Sequence, residues 1–480
     1  MSFKNKLKYT LGTFALIAGL SGVAQDTHYW TQQYGTKSSL LGGAAIGGVR
    51  DNSGIYYNPG AIGFIENKNL SISANAYQAD RINIRNGAGD GINLVSNSVQ
   101  TMPLIISGLF KLDEYPRHTL GYGLLTKNQF NLNTNARSEG SKNLISDNHA
   151  VGMEDYTDQF NLKSSIYETM AGWAYAYKIS DKLSVGIGNY GIYRSNHNDY
   201  DRSVRVIPTD SNLILREISI YDRSYSISIM NVRTIFKGGI SLNLDTWKFG
   251  LTITSPSINI WSSGIIQSDE TVANLDYFNS GFLISFTGND RQAKLKNVYK
   301  TPLSIGFGTE YGTENTVFAF SCEWFDMVKE YDVMKAKPGA YLRPAQLNFA
   351  TADEVLTISE ARKSVFNFAV GWQQKLTSDY YGSIAFRTNN SYSKQNKLPE
   401  LSLTYTNWDI YHFSIGATKK REKSDLSVAL NFALGGTKNV YQYANLTNID
   451  VSNAYEGVPE KTTALFSSFA VMIGYTHRLK

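Results

Sequence analysis

The chain has a single cysteine, Cys322, among 480 residues. One thiol makes no internal disulfide and no zinc site. Within the apolar run "FAFSCEWF" it is expected to be a small packed side chain. Long apolar runs are missing as well. Beyond residue 24 none approaches the roughly 18 residues of a membrane-spanning helix, so helical spans are excluded. A surplus of one charge is also absent. Without the lysines of the first 24 residues, 43 basic side chains stand against 41 acidic ones. That balance argues against nucleic acid as a partner.

What is present points elsewhere. Lys4, Lys6 and Lys8 precede an apolar core over 11–20 that is too short to span a bilayer. Gly22-Val23-Ala24 then offers the small residues a signal peptidase reads, so residues 1–24 are expected to be a signal peptide cut before Gln25. The residue directly after the cut is Gln25 and not a cysteine, which argues against a lipid anchor. Tyrosine, phenylalanine and glycine are frequent, yet the mean hydropathy is negative. An exported chain that is aromatic-rich, glycine-rich and polar on average fits an outer-membrane β-barrel, whose strands hide their apolar half by alternation.

Alternation is visible directly. In "LSVALNFALGG", Leu426, Val428, Leu430, Phe432 and Leu434 share one face, and Ser427, Ala429, Asn431 and Ala433 the other. "LSVGIGNYGIY" sets Leu183, Val185 and Ile187 against Ser184, Gly186 and Gly188. "YETMAGWAYAYKI" alternates through Trp173, Tyr175 and Tyr177, rings suited to an interfacial girdle. About fourteen such segments run along the chain, over 69–85, 102–112, 117–135, 163–180, 182–199, 214–243, 246–262, 290–310, 316–331, 363–376, 379–391, 407–419, 425–437 and 464–479. Short and long connections alternate between them. The long ones fall at 86–101, 136–162, 200–213, 263–289, 332–362, 392–406 and 438–463. Short turns on one side and long loops on the other are the signature of such a barrel. An all-β, transmembrane antiparallel barrel of about fourteen strands is expected over 67–480, with both termini periplasmic.

Residues 25–66 do not alternate. The stretch "RDNSGIYYNPGAIGF" (50–64) is rich in turn residues but also carries Ile55, Tyr56, Tyr57, Ile62 and Phe64. Flexible tails lack such apolar weight. Together with the small-residue run over 40–49, Asp51-Asn52-Ser53 and Asn58-Pro59-Gly60, it resembles the start of the FadL/TodX family of outer-membrane fatty acid and hydrocarbon transporters. In that family the third residue of the "NPA" motif is usually alanine; here it is Gly60. "GLTITSP" (250–256) and "TPLSIGFGTEY" (301–311) are similar too.

The resemblance implies an N-terminal hatch inside the lumen, with Tyr56, Tyr57, Asn58, Pro59, Gly60, Ile62 and Phe64 in it. It also implies passive uptake of hydrophobic, long-chain fatty acid-like compounds: capture by external loops, passage by the hatch, and lateral exit through a kinked third strand. An alternative it allows is a barrel serving as subunit or cargo escort of a secretion machine such as type IX secretion, with protein partners held by the external loops.

Three places carry these expectations. Gly121, Gly123 and the polar break at Lys127-Asn128-Gln129 mark the third strand as a candidate lateral opening. The apolar loop over 263–289, with Ile265, Ile266, Phe278 and Phe282, is a candidate capture groove. Asp147, Glu154, Asp155 and Asp158 match no calcium-loop spacing, so no metal is expected. No cofactor is implied, and no enzyme is expected. His28, His118, His149, His197, His412 and His477 are scattered, and neither HExxH nor GxSxG occurs. A catalytic site drawn from separate strands leaves no such local signature.

Overall fold

A computed structural model describes residues 26–48, 51–66, 68–112, 114–145, 149–209, 217–276, 282–344, 350–394 and 401–479. One antiparallel sheet runs round on itself. β1 (Asn69–Ile84), β2 (Leu94–Leu112), β3 (Tyr115–Lys142), β4 (Glu154–Lys178), β5 (Leu183–Pro208) and β6 (Ser219–Leu244) are neighbours in chain order. β7 (Trp247–Thr254) and β8 (Ile258–Leu275) share the seventh wall position, both paired with β6. β9 (Ile284–Leu295) and β10 (Ser304–Gly312) share the eighth, paired with β8 and β7.

β11 (Thr316–Phe325) follows, and then an excursion carries β12 (Val328–Met334), β13 (Leu342–Arg343) and β14 (Ile358–Arg362). β12 pairs with β14, and β13 extends the edge of β9 by two residues. β15 (Val365–Lys375), β16 (Tyr380–Asn389), β17 (Ile410–Lys420), β18 (Ser424–Tyr441) and β19 (Lys461–Arg478) complete the wall, and β19 pairs with β1. Counting each broken pair once, fourteen strands close the barrel.

Each strand buries alternate residues. Next to the short turns the outward residues are large and apolar: Ile72, Trp173, Ile187, Phe236, Ile240 and Val428 are all exposed. A ring of such residues around a closed barrel is a lipid-facing belt. Above it, β3 to β6 continue with polar outward residues such as Asn135, Gln159, Asp201 and Ser224.

This corrects the expected loops. Residues 136–162, 200–213 and 263–289 are mostly strand: β3 runs to Lys142, β5 to Pro208, and β8 and β9 form a hairpin. The strand expected over 290–310 is interrupted at 296–303, and that over 246–262 at 255–257, where Pro256 offers no N–H to the ladder. The connections over 401–409 and 442–460 instead fold inward. Tyr405, Trp408, Tyr443 and Leu446 pack against Ile82, Phe130, Phe160 and Leu162 of the wall.

Candidate functional site

The N-terminal segment is packed, not trailing. Leu40, Ile55 and Ile62 are fully buried in one cluster with Met102, Leu109, Met170 and Ala174 of the wall. Fully burying an aliphatic side chain of this size contributes about 1.5–3 kcal/mol. A short helix, Gly54–Tyr57, leads into a 3-10 turn, Pro59–Phe64, with Asn58 extended between them. Pro59 sits at the start of that turn, where its missing N–H costs nothing.

Asn58 clamps the segment. Its Nδ2 donates to Ile46 O at 2.9 Å and to Ile240 O of β6 at 3.1 Å, and its Oδ1 accepts from Gly60 N at 3.0 Å. The clamp lies against β6 because Gly239 leaves room: a Cβ there would stand 3.0 Å from Gly60 N and crowd the Asn58 side chain. Gly60 itself lies against the backbone of Gly239, where a Cβ would stand 2.6 Å from its carbonyl oxygen.

The Tyr56 and Tyr57 rings pack on Tyr34, and Tyr57 Oη accepts from Tyr34 N at 3.0 Å. Lys237 Nζ sits 5.0 Å over the Tyr56 ring. Asp51 ties two stretches together by accepting from Lys37 N at 2.6 Å and Ser53 N at 3.0 Å. Ile62 is buried and Phe64 half-buried.

Further up, Asp26 accepts from Thr406 N at 3.2 Å, and His28 Nε2 meets Trp408 O at 2.9 Å. Asp26 therefore lies among the long connections, whereas Arg478 pairs with Asn69 at the short-turn end.

The third strand is irregular, but not at its glycines. Gly121 and Gly123 lie in regular register with Leu109 and Ser107 of β2. Gly121 makes room for Ile55: a Cβ there would stand 2.8 Å from that side chain. The bulge is at Lys127, where the pairing with β4 slips between Thr126 and Asn128. The ladder between β2 and β3 ends there as well. Its last pair is Ile105 with Leu125; beyond it β2 pairs with β1 alone and β3 with β4 alone. At this seam the N-terminal segment caps the strand. Thr31 Oγ1 donates to Lys127 O, and Tyr34 Oη donates to Thr126 O at 3.0 Å. Higher up, Asn133 N donates to Ser96 Oγ at 2.9 Å.

Beside the bulge is a charge cluster that no sequence motif marks. Glu168 Oε2 accepts from Arg194 Nη1 at 3.1 Å and Arg233 Nη2 at 2.8 Å, and Lys127 Nζ is 3.8 Å from Oε1. Three cations surround one carboxylate. Arg362 is matched by Glu360, 2.8 Å away. The Arg194, Arg233 and Arg362 guanidinium groups all face the Tyr299 ring, 4.1, 4.8 and 4.5 Å from its centroid. Arg194 Nε and Nη2 and Arg233 Nη1 find no acceptor among the described residues. A cavity of about 20 Å³ lies between these side chains and His28, Tyr29 and Thr31.

The apolar residues expected to form a capture loop are distributed otherwise. Ile265 and Ile266 are in β8, Ile266 fully buried and Ile265 half-buried on the opposite face. Phe282 is exposed just before β9, and Phe278 lies outside the described residues. A cavity of about 320 Å³ occurs instead under the 442–460 connection, lined by Leu162, Tyr200, Tyr225, Tyr405, Tyr441 and Tyr443. The connection is pinned there by Arg202, which donates to Asn445 O at 3.0 Å and Tyr455 O at 3.1 Å while pairing with Asp158 at 2.7 Å. Burial raises the Asp158 carboxyl above its ordinary range, and Arg202 offsets only part of that rise. Glu154 accepts from Leu144 N and Ile145 N, and Asp147 lies outside the described residues. Among the described residues no group of three or more acidic, histidine or cysteine side chains could hold a metal.

No family model matches the chain, and no curated protein matches it in sequence. Solved structures do match in fold. A FadL homologue of Pseudomonas aeruginosa has 12% identity and a TM-score of 0.56 over 94% of this chain and 100% of that one. The Pseudomonas putida toluene transporter TodX has 13% identity and a TM-score of 0.53, over 93% and 99%. The Ralstonia pickettii toluene transporter TbuX has 11% identity and a TM-score of 0.53, also over 93% and 99%. The chain thus has the fold of the FadL/TodX-type barrels, proteins of the outer membrane.

Proposed function

We propose that the chain carries hydrophobic compounds with an acidic head group, long-chain fatty acid-like molecules, passively across the outer membrane. The observation behind this is the cluster of Lys127, Arg194 and Arg233 around Glu168, next to the point where β2 and β3 part. A ligand carboxylate would supply the acceptor those guanidinium groups lack, and charge-assisted hydrogen bonds are the strong kind. The names of the structural neighbours fit a hydrophobic cargo; the cluster adds the acid.

In this reading the tyrosine-lined cavity is the outer station, and burial of ligand surface at about 25 cal/mol per Å² draws the ligand in. The N-terminal segment is the hatch, with Asn58-Pro59-Gly60 at its bend. Release of Thr31 and Tyr34 from the Lys127 and Thr126 carbonyls opens the seam to the bilayer. No covalent bond is made or broken in this passage.

The test is uptake into proteoliposomes. Arg194→Gln should slow oleate uptake about tenfold or more, the loss of one or two charge-assisted hydrogen bonds, and leave oleyl alcohol unaffected. An equal loss for both refutes the head-group reading.

A further inference from the structure

On the outer face of the sheet, three side chains from two adjacent strands stand in a row. His197 Nδ1 is 2.7 Å from Ser228 Oγ, and His197 Nε2 is 2.9 Å from Asp199 Oδ2. Ser228 on β6 lies directly opposite His197 on β5 in register, and Asp199 is two residues along β5, hence on the same face. With its proton on Nε2, the imidazole donates to Asp199 and leaves the Nδ1 lone pair for the Ser228 hydroxyl. The base is thus within hydrogen-bond reach of the nucleophile on one side and of the orienting carboxylate on the other.

The row also has a defined height. Below it the next outward residues are Ser195 on β5, Met230 on β6 and Tyr167 on β4, with Tyr193 one step further down β5; Met230, Tyr167 and Tyr193 are exposed and form the upper margin of the apolar belt. Directly above it the outward residues are polar, Asp199 and Asp201 on β5 and Ser226 and Ser224 on β6. The row therefore stands where lipid tails give way to head groups, at the depth of ester linkages. Across β8, Ile265 pairs with Ser228, and Gln267 pairs with Ser226 one step higher. Apolar contacts lie below and beside the serine, and amide and hydroxyl donors lie above it.

We infer that Ser228 is the nucleophile and His197 the general base of a second, lipid-facing site that hydrolyses acyl esters of amphiphiles in the outer leaflet, with Asp199 as a positioning residue. Ser228 Oγ bonds to the ester carbonyl carbon as its proton passes to His197 Nδ1. Gln267 and Ser226 provide donors for the developing oxyanion. Collapse breaks the carbon–oxygen bond, and the alcohol leaves with the Nδ1 proton. Water then gives a proton to Nδ1 and its hydroxyl to the acyl carbon. The fatty acid departs, and the proton returns to Ser228. The site faces the bilayer while the proposed route runs inside the barrel, so either can fail without the other.

The test uses the full-length protein in phosphatidylcholine vesicles and a fluorophosphonate probe. The expected results are an adduct on Ser228 by peptide mass spectrometry, none in Ser228→Ala, and labelling at least tenfold slower in His197→Ala. Free fatty acid should accumulate from the vesicle lipid, and Asp199→Asn should slow this and shift its pH profile. Heat-modified mobility checks that each variant is folded. No adduct on Ser228, equal labelling of Ser195 and Ser226, or an unchanged rate in His197→Ala would overturn the inference. Hydrolysis of soluble p-nitrophenyl octanoate without release from the vesicles would overturn the lipid as substrate.

Discussion

The lower and upper halves of β4, β5 and β6 are the same strands in two solvents. In the lower half Trp173, Ile187 and Ile240 point outward; in the upper half Gln159, Asp201 and Ser224 do. The inward face differs by what fills the barrel. Below, Gly186 and Gly239 make room for the N-terminal segment. Above, Phe160, Leu162 and Arg202 meet the inward-folded connections. The outward residues therefore report the surrounding solvent, and the inward residues report the filling.

Removing the filling should have the largest effect. Deleting residues 26–62 should raise vesicle permeability to small dyes by about an order of magnitude or more, because an unplugged barrel of this size encloses a channel; unchanged permeability means the segment never sealed it. Next, Ile187→Arg in the lower half should cost about 2–4 kcal/mol in reversible unfolding from vesicles. Ser203→Arg in the upper half should stay within about 0.5 kcal/mol. Equal costs would erase the distinction between the halves. Smaller again, Gly239→Ala should cost about 1–3 kcal/mol by crowding Asn58. Gly191→Ala, where a Cβ would meet no heavy atom closer than 3.9 Å, should be nearly neutral, and a similar loss at both would mean the glycines are not spacers.

The two halves were not equally legible in the sequence. Lower halves such as "LSVGIGNYGIY" alternate apolar with small residues, because lipid lies outside and the N-terminal segment packs inside. In the upper halves both faces carry polar side chains: Asp199 and Asp201 outside, Asn196, Asn198 and Arg202 inside. Hydrophobic alternation fades there, and the strands look like loops. The bulge fell within the polar break at Lys127-Asn128-Gln129, since a polar residue in a wall strand needs a partner, here Glu168. The glycines nearby marked close packing instead. The charge cluster left no trace, because Lys127, Glu168, Arg194 and Arg233 come from four strands and meet only when the sheet is registered. The same holds for Ser228 and His197. Asn58 was visible as part of a motif, but its bond to Ile240 required the closed barrel.

The most direct test of the account is to bar the seam. Cysteines at Leu104 and Thr126, the next positions beyond the last β2–β3 pair, would be joined by a short bifunctional maleimide in a Cys322→Ala background. The account predicts that the bridged protein loses oleate uptake into vesicles at least tenfold, while the same protein left unbridged keeps it. Full uptake by the bridged protein would contradict it.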